Sequence, residues 1–168
     1  MTACELQAAT RTEDHERLAD LARQIWHEHY PGIISTGQID YMLANGYDLD
    51  TLAAEQAAGT RFVLACREQV ALAFAAVSPD IENPTVAWLD KLYVKAEARG
   101  QGIASQLMAW ALRTAVEREA NVMKLRVNRD NAGAVEAYRR LGFVVESEHV
   151  KPIGNGYVMD DYIMQRPV

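Results

Sequence analysis

"LDKLYVKAEARGQGIASQLMAWAL", residues 89–112, carries three patterns end to end. Its first residues, with "TVAW" before them, form a β-rich apolar run that reads as a strand. Arg99, Gly100, Gln101 and Gly102 follow. Ile103, Leu107, Ala111 and Ala115 then recur beside Ala104, Met108, Leu112 and Val116, a broad apolar stripe that predicts a helix over 102–120. Two glycines at a helix start let another molecule approach the backbone, and the first-turn N–H groups have no partner inside the helix. With Arg99 adding positive charge, the segment reads as a cradle for an anionic group such as a pyrophosphate.

Two familiar phosphate loops do not fit. A Walker loop requires Gly-Lys-Ser/Thr after the glycines, and none follows. A dinucleotide fingerprint requires Gly or Ala three residues after Gly102, where Ser105 stands, and a regular βαβ setting. The neighbouring segments do not alternate that way. "ELQAAT" reads as a short strand, and Thr12 as the N-cap of a helix over 12–29 whose first turn is acidic through Glu13 and Asp14. "TGQIDYMLANG" and "DLDTLAAEQAAG" read as two more helices, the second running from Asp48 to Gly59. "RFVLACR" and "VALAFAAVS", linked by Glu68-Gln69, read as an antiparallel hairpin. Beyond the long helix, "VMKLRVN" reads as a strand and "NAGAVEAYRRLG" as a helix closed by Gly142. "FVVESEHVK" and "YVMDDYIM" form a last hairpin through "GNG". This order predicts an α/β fold of the α+β type: one domain over 1–168 with a mixed, largely antiparallel central sheet flanked by helices on both faces.

Composition narrows the function. The chain has 168 residues, 49% apolar and 24% charged, which suits one buried core. Its net charge of −6, with no Lys/Arg block, argues against a nucleic-acid or anionic membrane surface; it suits a cationic substrate and equally an ordinary soluble domain. The N-terminal residues lack the pattern of a signal peptide and no segment has the apolar length of a membrane span, so a cytoplasmic location is expected. Cys4 and Cys66 form no CxxC and read as reduced buried thiols. His27 and His29, two residues apart on a helix, do not share a face, so no metal site is expected there.

Against this background "RGQGIA", preceded by "LDKLYV", resembles the acetyl-CoA signature of the GNAT superfamily of N-acetyltransferases, Arg/Gln-x-x-Gly-x-Gly/Ala, with Ala104 in the last position. "NRDNAGAVEAYRRLGFVVE" resembles the next block of that family, with Asn131, Ala134, Tyr138 and Gly142-Phe143 in register. The resemblance covers most of the chain from about residue 60 onward. It implies acetyl-CoA as co-substrate, with residues Arg99, Gly100, Gln101, Gly102, Ile103, Ala104 and Ser105 around the pyrophosphate. The pantetheine would lie along the strand at Leu92, Tyr93 and Val94, and Asn131, Ala134 and Tyr138 would complete the donor site.

Acyl transfer to an amine also needs a polarised carbonyl, a proton for the leaving thiolate and a base for the amine. The resemblance assigns the first to the Val94 N–H and the second to Tyr138, whose spacing from Ala134 and Leu141 would otherwise mark a packing residue. Asn131 serves as a helix cap, a cofactor contact or both. Asp90, four residues before Val94 and on its face unless a bulge intervenes, is a candidate base or else a rim carboxylate. Asp160 and Asp161 point to opposite faces of the last strand, so at least one sits among apolar neighbours and needs a structural partner or a substrate ammonium. Glu28, His29 and Tyr30 are candidate walls of the acceptor site. The expected activity is acetyl transfer from acetyl-CoA to a primary amine, on a small molecule or a peptide. The alternative is an acyl-CoA-binding sensor or docking module without turnover. A homodimer is the first expectation for a small enzyme of this kind.

Overall fold

The computed structural model describes residues 3–168. Strand β1 (Glu5–Ala8) leads into three helices, α1 (Thr12–His29), α2 (Thr36–Gly46) and α3 (Leu49–Ala57). Strands β2 (Arg61–Arg67), β3 (Val70–Pro79) and β4 (Val86–Val94) follow, then a short 3-10 turn over Ala96–Ala98 and helix α4 (Ile103–Glu117). The chain closes with β5 (Val122–Asn128), α5 (Ala132–Arg140), β6 (Val144–Gly154) and β7 (Tyr157–Pro167). The seven strands form one sheet in the order β1-β2-β3-β4-β5-β7-β6. Its ladders are antiparallel except β4 with β5, the pair that α4 connects. The α+β reading and the largely antiparallel sheet are what the structure shows.

Both faces of the sheet are covered. Leu18, Ala22, Ile25 and Trp26 of α1, with Ile39 and Leu52, pack on Phe62, Leu64, Phe74 and Ala76. On the other face Ile103 and Leu107 of α4 meet Val63, Ala73 and Ala75, while Met108, Ala111 and Ala115 meet Leu89, Met123 and Leu125. Strand alternation divides β2 and β3 between these two cores.

Three helix ends depart from their sequence reading. The N-cap of α1 is Arg11, not Thr12, because the Asp14 carboxylate reaches back to the N–H groups of Thr10 and Arg11 at 3.2 and 3.1 Å. Helix α4 stops at Glu117, short of the predicted 120: Glu119 turns to φ 61° and the Ala120 N–H returns to the Ala115 carbonyl. Asn131 occupies the N-cap of α5 but makes no side-chain cap bond, since its side chain is engaged elsewhere. Both hairpin turns have positive φ at two central positions, Glu68 and Gln69 in one and Asn155 and Gly156 in the other, as a tight two-residue turn demands.

Candidate active site

The sheet is split where the parallel pair begins to diverge. Strand β4 registers with β5 only from Val86–Trp88 against Val122–Lys124, so the rest of β4 has an unpaired edge. Backbone direction on that stretch follows from one bond: the Lys95 N–H goes to Leu72 on β3. Alternation then sends the backbone groups of Tyr93 to β3 and those of Leu92 and Val94 to the open edge. The Val94 carbonyl accepts there from Arg99 Nε at 3.3 Å. Tyr93, expected on the cofactor path, instead turns its ring toward α1, stacking against Phe74 and Trp26 with ring centroids 5.4 and 5.8 Å away.

A bulge lies just before this edge. Ala76 pairs with Lys91 and Val77 with Leu89, leaving Asp90 as the extra residue. Asp90 therefore does not share the face of Val94. Val94 and Leu92 pack with the α4 cluster, whereas Asp90 faces Ser78 and Tyr47 beside Lys91. Lys91 itself pairs with Glu55 of α3 at 3.3 Å.

A cavity of about 840 Å³ passes through the gap, lined from both faces of the sheet. One side is formed by Leu92, Val94, Arg99, Ala104, Asn131, Ala134 and Tyr138, the other by Trp26, His29, Tyr30, Tyr47, Asp90 and Asp161. The glycines lie beside it. Gly100 and Gly102 have φ of 73° and 81°, and a Cβ at either would meet open space. The first hydrogen bond of α4 runs from the Gln106 N–H to the Gly102 carbonyl, which leaves the amides of Ile103, Ala104 and Ser105 without helix partners. The Ile103 side chain is a core residue, 2% exposed, so only its backbone is available to an anion. Gln101 is exposed and bonds back to the Glu97 carbonyl. This geometry fits a pyrophosphate.

Burial shifts the titrating groups around the cavity toward their uncharged forms. Burial pushes the Tyr138 phenol up, the Tyr30 hydroxyl nearby adding to the effect, and no hydrogen bond from the described residues engages it. Tyr30 is likewise raised by burial, and its hydroxyl lies 3.0 Å from that of Tyr93. His29 is lowered by burial, partly offset by its bond to Asn131 Oδ1 at 3.2 Å. That bond joins the acceptor-side helix α1 to the start of α5. Asp90 is open to cavity solvent yet crowded by protein on most sides, and this crowding raises it against the opposing pull of Ser78, Lys91 and Arg126.

The remaining candidates separate. Asp161 is buried and lines the cavity, whereas Asp160 is ion-paired with Arg129 at 3.1 Å and lies outside it. Glu28 is exposed on α1 and does not line the cavity. Arg126, Trp88, Tyr47 and Trp26 were missed by sequence reasoning. Arg126 lies in the cavity with its guanidinium 3.9 Å over the Trp88 ring. The alternation of Lys124, Arg126 and Asn128 with Met123, Leu125 and Val127 was the available signal.

The profile of the Acetyltransferase (GNAT) family matches residues 15–143. The chain belongs to that family. Among curated relatives it is 39% identical over 72 residues to an uncharacterized N-acetyltransferase of Methanocaldococcus jannaschii, covering 43% of this chain and 31% of that protein. It is 43% identical over 51 residues to the mycothiol acetyltransferase of Corynebacterium aurimucosum, covering 30% of this chain and 17% of that protein. The matches thus span about a third or less of these curated relatives. Among solved structures, the PaiA N-acetyltransferase of Thermoplasma acidophilum in complex with coenzyme A superposes with a TM-score of 0.82 at 24% identity, over 99% of both chains. A GCN5-related N-acetyltransferase of Rhodopseudomonas palustris superposes with a TM-score of 0.78 at 21% identity, over 100% of this GNAT chain and 98% of the other. These likenesses establish the shared fold.

Proposed function

We propose that this GNAT protein transfers an acetyl group from acetyl-CoA directly to a primary amine. The unpaired β4 edge carries this reading, because it offers the Leu92 and Val94 backbone groups next to the unbonded amides of α4. Acetyl-CoA would lie along that edge with its pyrophosphate at residues 99–105, and the acceptor would enter from the α1–α3 side.

The reaction needs a neutral amine nitrogen to attack the thioester carbon, forming the C–N bond as the C–S bond breaks. The Val94 N–H polarises the carbonyl oxygen from the open edge. Tyr138 gives its phenolic proton to the departing thiolate. Burial holds that phenol protonated at neutral pH and also weakens it as an acid, so its proton transfer to the thiolate depends on close positioning rather than on a lowered pKa. The amine proton leaves to Asp90, directly or through water.

The test is thiol release from acetyl-CoA over a panel of amines, with Tyr138→Phe beside the wild type. The variant should lose about 10²-fold or more in kcat with nearly unchanged acetyl-CoA affinity by calorimetry. Unchanged kcat when chemistry is rate-limiting removes Tyr138 from the mechanism. Acetyl-CoA binding with no amine-dependent release favours the sensor reading instead.

A further inference from the structure

Among the described residues, Asp161 is a carboxylate without a hydrogen-bond or ion-pair partner. It lies on β7 opposite Asn128 of β5 and His149 of β6, and is 3% exposed. Its Oδ2 is buried with no hydrogen bond. Arg126 and His149 act on it only through space, and the Arg126 guanidinium is stacked on Trp88 instead. The neighbouring Asp160 shows what a settled carboxylate looks like here, with Arg129 at 3.1 Å. A buried acceptor oxygen left unmatched is costly and burial pushes this carboxyl up toward its neutral form, so a cation bound from the cavity would offset the cost and hold Asp161 ionised.

Its setting indicates which cation. Trp26, Tyr30, Met42, Tyr47 and Met159 line the same cavity, walls suited to an aliphatic chain and to a positive charge over aromatic rings. Asp161 and the proposed acid Tyr138 both line this cavity. A reacting nitrogen must be neutral at the thioester, so a cation held at Asp161 is a different group of the same acceptor. A carboxylate on the acceptor would face Asp90 and Asp161, with solvent-exposed Arg126, and Lys91 already paired with Glu55 at 3.3 Å, as the basic groups beside them.

We propose that Asp161 docks a second cationic group of the acceptor, so that the preferred substrates are aliphatic diamines rather than monoamines or α-amino acids. This rests on the acetyl-transfer reading above. With saturating acetyl-CoA, α,ω-diaminoalkanes are compared with n-alkylamines of equal chain length in the thiol-release assay. The wild type should favour the best diamine by about tenfold or more in kcat/KM, the worth of one charge-assisted bond. Asp161→Asn should erase most of that preference by raising the diamine KM, while its melting temperature stays equal to or above that of the wild type, because the near-isosteric amide removes an ionisable group that burial disfavours.

Equal kcat/KM for diamine and monoamine in the wild type overturns the proposal, as does a preference that survives in Asp161→Asn. A markedly lower melting temperature for Asp161→Asn also overturns it, assigning the carboxylate a structural role. Absence of release with every amine refutes the transferase reading separately. In that event the diamine's effect on melting temperature decides: a rise confined to the wild type supports Asp161 as its site, and an equal rise in both proteins overturns it.

Discussion

Replacing Gly102 by alanine separates backbone strain from anion binding. Gly102 holds φ 81° at the start of α4, a conformation that costs an L-residue about 1–2 kcal/mol. For a chain of this length that lowers the melting temperature by about 2–8 °C. Apart from its own chain neighbours, no described residue lies within 4 Å of the added Cβ, so strain is the main folding cost. Gly32 supplies the control: its φ is 90°, its Cβ position is equally open, and it sits in the turn after α1 rather than at the start of α4. Gly32→Ala and Gly102→Ala should therefore lose similar stability by scanning calorimetry. Only Gly102→Ala should lose acetyl-CoA affinity, because its Cβ enters the space in front of the Ile103, Ala104 and Ser105 amides. Losing one charge-assisted bond of about 1.5–3 kcal/mol weakens Kd about ten- to hundredfold. Matching affinities for the two variants in isothermal titration refute the cradle assignment.

Asp90→Asn should lower kcat by about 10²-fold and remove the low-pH limb that a raised carboxylate imposes on kcat/KM; a change within about twofold marks Asp90 as a rim carboxylate. His29 is lowered below its ordinary value near ~6.5, so the unfolded chain takes up its proton first as pH falls. Its contribution to stability is present above about pH 6.5 and lost as pH drops toward the folded-state value, and His29→Gln should flatten that slope in denaturant titrations; parallel slopes refute it. Replacing Glu68 and Gln69 by Asn-Gly should raise stability by about 1 kcal/mol with an unchanged denaturant m-value, since two non-glycine residues now hold φ of 51° and 69°; an unmoved midpoint refutes the strain argument.

The legible parts of this chain were those whose chemistry is local. The stripe through Ile103, Leu107, Met108, Ala111 and Ala115 marked a helix because its period is the one that buries those residues, and the paired Asp48 and Gly59 framed α3 closely. That Asp160 and Asp161 face opposite ways followed from strand alternation, whereas which of them meets the cavity did not. What escaped depended on partners distant in sequence. Whether Thr12 or Arg11 caps α1 is decided by where the Asp14 carboxylate folds back. The bond between His29 and Asn131 joins residues with no local pattern in common, and it diverts Asn131 from the cap its residue type suggests. The bulge at Asp90 is invisible for the same reason: one unpaired residue is a property of the β3–β4 register, and both strands look regular in sequence.

On the proposed acetyl-transfer reading, that bulge also lets one strand serve two substrates. Without it Asp90 would share the face of Leu92 and Val94, toward α4, and no carboxylate of β4 would meet the acceptor. The extra residue turns Asp90 to the α1–α3 face beside Lys91, leaving the Leu92 and Val94 backbone on the open edge. Donor groups and acceptor groups are thereby drawn from neighbouring positions of a single rigid strand. The Tyr30 and Tyr93 hydroxyls, 3.0 Å apart, tie that strand to the end of α1. The adjacent His29 ties α1 to Asn131 on the donor side, so the two halves of the cavity are held in register by the same turn of helix.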